Sequence, residues 1–76
     1  MKTIITIVES PSMPGVFTGT LKNTGRRPIH IEAGRDPAAA AAKAIDLALH
    51  HGRHGYAIFA PKKVLDYIPI EFRSNN

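Results

Sequence analysis

From Asp36 to Gly52 the chain reads DPAAAAAKAIDLALHHG, and this stretch constrains the fold more than any other. An aspartate carboxylate can accept an amide hydrogen at a helix N-terminus, and proline suits the first helical position because its missing donor would be unpaired there anyway. Ala38 to His51 is therefore predicted to be helical. Gly52 stands where a C-terminal cap belongs, and the histidines and Arg53 at that end suit the negative pole of the helix dipole. Spacings of three and four place Ala38, Ala41, Ala42, Ile45, Ala48, Leu49 and Gly52 on one stripe, with Lys43, Asp46 and His50 opposite. Inward residues that small let a helix lie close to a sheet.

The segments around this helix read as strands. Thr3 to Glu9 is rich in β-branched residues, which fit a pleated surface. It ends at Ser10-Pro11-Ser12-Met13-Pro14-Gly15, where two prolines remove amide donors and a glycine permits positive φ. Val16 to Lys22 resumes the alternation, with Gly19 in mid-strand suggesting a bulge or a closely packed neighbour. Asn23-Thr24-Gly25-Arg26 carries hairpin chemistry. Ile29 and Ile31 then alternate with His30 and Glu32 in the clearest inside/outside pattern of the chain. After the helix, Tyr56 to Ala60 reads as a fourth strand, and Pro61 to Ile68 as one helical turn whose Val64, Leu65 and Ile68 close the core. Pro69 to Arg73 is expected to be extended, and residues 74–76 to fray. The expected architecture is α+β: an antiparallel sheet in β-β-β-α-β order, one Ala-rich helix across one face, and a short C-terminal helical turn.

Seventy-six residues make one domain, 1–76, with one core, and a chain of this size buries only about 60% of the surface its unfolded form exposes. There is no cysteine, so disulfides, thiolate zinc sites and thiol catalysis are excluded together. Ten of the 33 hydrophobic residues are alanine, which leaves the nine isoleucines to fill most of the interior. No apolar run approaches the roughly 20 residues that span a bilayer, and the N-terminus lacks a signal-peptide pattern. Ten Lys and Arg against six Asp and Glu give a formal charge of +4, which disfavours any surface built to imitate a phosphate backbone.

The groups that could carry chemistry are dispersed. His50, His51 and His54 beside Arg53 invite a metal assignment, but Gly52 interrupts the helix between them and no neighbouring Asp, Glu or Cys completes a ligand set. Ser10 and Ser12 sit in a proline-rich loop without a nucleophile-elbow pattern, and His30 with Glu32 makes only an isolated pair on a strand face. Neither a phosphate-binding glycine loop nor a dinucleotide fingerprint is present, so no catalysis and no cofactor is expected. The cations fall in small groups: Lys22, Arg26 and Arg27 at the hairpin, Arg35 and Arg53 flanking the helix, and Lys62-Lys63. Such a distribution could neutralise phosphates, although no aromatic residue is clearly interleaved for base stacking. A basic nucleic-acid-binding or regulatory module is thus one reading, and a homodimer that pairs sheet edges is another.

A third reading comes from resemblance. Ile5-Thr6-Ile7-Val8-Glu9-Ser10-Pro11 followed by Pro14-Gly15, then Ala33-Gly34-Arg35-Asp36-Pro37 leading into Ala39 to Lys43-Ala44, then Lys63-Val64-Leu65 with Ile68-Pro69 and Arg73, resemble the small phage-encoded anti-CRISPR proteins of type I systems. The family they most resemble is the fifth described against subtype I-F. The match runs in order from Thr3 to Arg73 and is weakest at Phe17 to Arg27 and at His50 to His54. The resemblance implies an inhibitor without chemistry of its own. It would bind the crRNA-guided surveillance complex (Cascade) in the bacterial host cytoplasm, through the large subunit or a backbone subunit and with contact to bound DNA. It would block recruitment of the helicase-nuclease and not DNA loading. A monomer is expected. The polar outcrops that core packing does not explain are the candidate partner contacts: Arg26, Arg27, His30, Glu32, His50, Arg53, His54, Lys62 and Lys63.

Overall fold

A computed structural model of the chain describes residues 3–23 and 27–75. Strands β1 (Thr3–Glu9), β2 (Phe17–Asn23) and β3 (Ile29–Gly34) form an antiparallel meander. Helix α1 (Pro37–His51) follows, then β4 (Tyr56–Phe59), the single turns α2 (Lys62–Leu65) and α3 (Ile70–Arg73), and a two-residue strand β5 (Ser74–Asn75). The protein is α+β, with the elements in the expected order and the helix laid across one face of the sheet.

The strands lie side by side as β3-β2-β1-β4-β5. Antiparallel pairing joins β1 to β2, β2 to β3 and β4 to β5, whereas β4 runs parallel to β1, from Thr3 opposite Tyr56 to Thr6 opposite Phe59. The parallel pair follows from the crossover. Helix α1 carries the chain back from the end of the sheet where β3 finishes to the end where β1 begins, so the next strand must run with β1. Three hydrogen bonds fasten that junction. The Thr3 amide donates to the Gly55 carbonyl (3.0 Å), the Thr3 hydroxyl donates to the His51 carbonyl (2.8 Å), and the Gly52 amide donates to the Ala48 carbonyl (2.8 Å).

The helix starts as its sequence dictates. Asp36 is extended, and its carboxylate accepts from the Ala39 amide at 2.8 Å, with Pro37 in the first turn. The face it buries differs from the expected stripe. Ala40, Ala41, Ala44, Leu47 and Ala48 meet the sheet, Ile45 packs at the margin, and Ala38, Ala42 and Leu49 are exposed. With alanine at five consecutive positions the apolar period carries little phase information there. Only Ile45, Leu47 and Leu49 could set the phase, and alternate residues cannot all lie on one helical face.

Gly52 does cap the helix, but with φ at −96° and not in the left-handed region. A Cβ there would stand 2.6 Å from both the Ala48 oxygen and Tyr56 Cδ1, so close approach of the next strand is what demands glycine. Gly19 is similar: a Cβ would meet Ile7 Cδ1 at 3.2 Å and Ile31 Cγ1 at 3.3 Å, while the irregularity in the β2–β3 ladder falls between Phe17 and Thr18, opposite Ala33.

Beneath the helix, Ile5, Ile7, Phe17 and Leu21 form the sheet side of the core, and Val64 and Ile68 close it, as expected. Pro69 to Arg73 is not extended. Residues Ile70–Arg73 make a helical turn, in which the Phe72 amide donates to the Pro69 carbonyl (2.9 Å) and the Arg73 guanidinium donates to the carbonyls of Leu65 (2.9 Å) and Ile68 (3.1 Å). Of the segment 74–76, Ser74–Asn75 pair with β4 through the backbone. Asn76 and the hairpin residues 24–26, Arg26 included, lie outside the described residues.

Candidate interaction surface

One helix covers one face of a sheet. The side chains on the other face can be read as rows from the strand registers. Phe59, Thr6, Thr20 and His30 form one row across β4, β1, β2 and β3; Val8, Thr18 and Glu32 form the next; Ala57, Ile4 and Lys22 form a third. Along these rows the chemistry changes from apolar to charged. Phe59 (57%), Val8 (48%) and Ile4 (37%) are large apolar side chains left open to water in the middle of the sheet, whereas His30, Glu32 and Lys22 form a polar flank. An apolar centre with a polar margin is the composition of a protein–protein contact.

The nine residues singled out from sequence do not form one patch. His30 and Glu32 stand on the open face, with His30 Nδ1 3.4 Å from Thr20 Oγ1. His50, Arg53 and His54 are exposed at the C-terminal end of α1, which is the end of the sheet where β1 begins, and Arg27 precedes β3 at that same end. Lys62 and Lys63 lie at the opposite end, beside Glu9. The seven residues of β1, at about 3.4 Å each, separate these ends by about 20 Å. Arg26 lies outside the described residues.

The two lysines have local partners. Lys63 Nζ donates to Glu9 Oε1 at 2.7 Å, and Lys62 Nζ donates to Asp66 Oδ1 at 3.3 Å, one helical turn on. Glu9 also accepts from the Gly15 amide through Oε2 at 2.8 Å, so a single carboxylate closes the 10–15 loop and ties it to α2. The Lys63 ammonium, then the Gly15 amide, hold the Glu9 carboxyl below the usual glutamate range. At the other end, Asp46 engages His50, whose Nδ1 is 2.8 Å from the Asp46 carbonyl and 3.2 Å from Oδ1. Lys22, Arg27 and Arg53 form no ion pair among the described residues.

The Ser10 and Ser12 hydroxyls face each other at 3.2 Å in an exposed loop. A cavity of about 200 Å³ lies where β3 turns toward the helix, lined among others by Met13, Phe17, Thr18, Glu32 and Arg35. It is smaller than the roughly 300 Å³ at which small-molecule sites begin. No group of three His, Asp or Glu side chains among the described residues is close enough to hold a metal ion, and no helix is long and apolar enough to cross a membrane.

Ile4, Val8 and Phe59 were not singled out from the sequence. Thr3 to Glu9 reads as a nearly continuous apolar run, which suggests burial on both faces. The available signal was arithmetic: a chain with one long helix can cover only one face of its sheet. Outward-facing Ile4 and Val8 on the central strand then have no covering element among the described residues. A scan against protein-family models gives no match to this chain, and no curated protein matches it.

Proposed function

We propose that this protein is an anti-CRISPR inhibitor. It binds the type I crRNA-guided surveillance complex in the bacterial host cytoplasm through the open face of its sheet, and it blocks recruitment of the helicase-nuclease. The observation that carries a binding role is the uncovered apolar stripe of Ile4, Val8 and Phe59 beside the charged flank of Lys22, His30 and Glu32.

The residues that carry the resemblance support the family reading in a specific way, because they hold one another in place. Glu9 joins the Glu9-Ser10-Pro11 stretch to Gly15 and to Lys63, and Arg73 joins Leu65 to Ile68. They specify a fold, and the partner contacts are left to the surface between them. The charge of +4 counts against occupying a DNA path, which is itself cationic, since like charges brought into contact suppress association.

The test is co-purification with type I-C, I-E and I-F surveillance complexes, each with and without target DNA, followed by a nuclease-recruitment assay. Binding to at least one complex without loss of DNA loading is the expected result, and the double variant Val8→Asp, Phe59→Asp should lose it while keeping a wild-type melting curve. Binding to none of the three overturns the reading. Binding that prevents DNA from loading overturns the recruitment mechanism.

One observation favours a second reading. Lys22, Arg27 and Arg53 gather, without ion-pair partners among the described residues, at the end of the sheet that also carries His51 and His54. A nucleic-acid-binding module would use that end, and a gel shift with random duplex at rising salt would then show binding that weakens steeply without any CRISPR component.

A further inference from the structure

Strand β3 is an outer strand, paired with β2 on one side only. Its other edge offers unpaired backbone donors and acceptors, which is the template for pairing with another strand. Protection lies only at its ends. Pro28 interrupts the ladder before Ile29, and the irregularity opposite Phe17 and Thr18 falls at Ala33. Between them Ile29, His30, Ile31 and Glu32 are regular, and Ile29 is 54% exposed although it points to the helix side of the sheet. We infer that the β3 edge pairs with the β3 edge of a second copy of this chain, antiparallel about a two-fold axis at Ile31.

Geometry and charge together select that register. A two-fold axis perpendicular to the sheet keeps both helices on the same side, and it then pairs residues of like facing only. Three centres are available. An axis at His30 sets His30 against His30, and an axis at Glu32 sets two carboxylates against each other. An axis at Ile31 sets His30 of each copy against Glu32 of the other, twice, and places Ile31 against Ile31 and Ile29 against Ala33 on the helix side. Directly opposed unlike pairs stabilise a ladder and like charges oppose it. The imidazole serves in either protonation state, because Nε2 can carry the donor hydrogen while Nδ1 lies beside Thr20 Oγ1. Neither His30 nor Glu32 forms an ion pair within the chain among the described residues.

The contact spans about five residues and covers well under the roughly 800 Å² per partner of a standard interface. The pair is therefore weak and concentration-dependent, in contrast to the expected monomer. Its geometry would place two open faces on the same side of one continuous sheet. This inference does not depend on the CRISPR reading.

The absence of cysteine makes the test clean. His30→Cys and Glu32→Cys chains are mixed in a thiol–disulfide buffer and the cross-linked dimers are sorted by mass. Directly opposed residues stand about 4.5–5.5 Å apart at Cα, within disulfide range. In the mixed dimer the two cysteines face each other while the other His30–Glu32 pair stays intact. Mixed dimer is expected beyond the statistical twofold excess over either homodimer, and Ile31→Cys alone should link to itself. Linkage no faster than for Ala42→Cys, on the exposed side of α1, overturns the proposal. A predominance of either homodimer overturns the register.

Discussion

Leu47 and Leu49 are the same residue two positions apart on one helix, and they have opposite surroundings: Leu47 is 7% exposed and Leu49 68%. Changing each to alanine in turn measures which way α1 faces. Leu→Ala removes three carbons, and at about 0.8 kcal/mol for each buried carbon the transfer loss at Leu47 is about 2.4 kcal/mol. A residual cavity adds to this, so Leu47→Ala should cost about 2–4 kcal/mol. The same change at Leu49 should stay within about 0.5 kcal/mol, as expected for an exposed site. Helix propensity cancels in the comparison because the two changes are chemically identical.

For a domain of this size each kcal/mol moves the melting temperature by about 4–8 °C, so Leu47→Ala should melt at least about 8 °C lower, and Leu49→Ala within about 4 °C of the parent. Urea unfolding followed by circular dichroism gives the free energies directly. An unchanged denaturant slope would show that the difference belongs to the folded state. Equal costs for the two variants, or a larger cost at Leu49, would refute the orientation. A larger cost at Leu49 would restore the stripe of Ala38, Ala42 and Leu49 read from spacing alone.

Three further outcomes follow from local geometry. Because the folded-state pKa of Glu9 is lowered, its contribution is present above its unfolded-state pKa and is lost as pH falls through the carboxylate range. Glu9→Gln should therefore melt lower than the parent at pH near 7 and approach it at pH near 3, and parallel melting curves across that range would show that the carboxylate stabilises nothing. Gly52→Ala drives a methyl group into the Ala48 oxygen and buried Tyr56, and should cost about 1–3 kcal/mol in thermal unfolding. A neutral result would show that β4 can shift away from the helix. Asp36→Ala removes the carboxylate from the Ala39 amide and should cost about 0.5–2 kcal/mol, with Asp36→Asn recovering most of it in the same assay.

Local chemistry was readable from sequence wherever one residue type answers one local need. Asp36-Pro37 marked the helix start, the 10–15 loop was evident from its prolines, and the closure of the core by Val64 and Ile68 followed from their spacing. What was not readable depends on neighbours distant in the chain. The direction of β4 is set by where α1 delivers it, and its four residues, three of them buried, carry no sign of their partner. Gly52 was placed correctly for a different reason, because the pressure on it comes from Tyr56 and not from its own φ. Among the candidate contacts, exposure was inferred correctly for the eight described residues, but proximity was not. Lys62 and Lys63 pair with Asp66 and Glu9, the latter 54 positions away in sequence, and no spacing rule reveals such a partner. The open face was missed because outward apolar residues on a central strand resemble core until the number of covering elements is counted.

Strand β1 occupies the middle of the sheet and is made first. Its β2 side is satisfied as soon as the hairpin through Asn23 forms, but its β4 side stays bare until residues 56–59 have been synthesised. At about 5–20 residues per second the fifty residues between Glu9 and Phe59 take about 3–10 s to make. From completion of the hairpin to the end of that interval the nascent chain holds a two-sided apolar strand with one open edge. The enclosing parallel pair is the least local strand pairing in the sheet, so the last step of assembly waits for the C-terminal third of the chain. Cutting the gene between the codons for Asn23 and Tyr56 would thus release a hairpin with its β4-side edge exposed, and that fragment should aggregate where the whole chain folds.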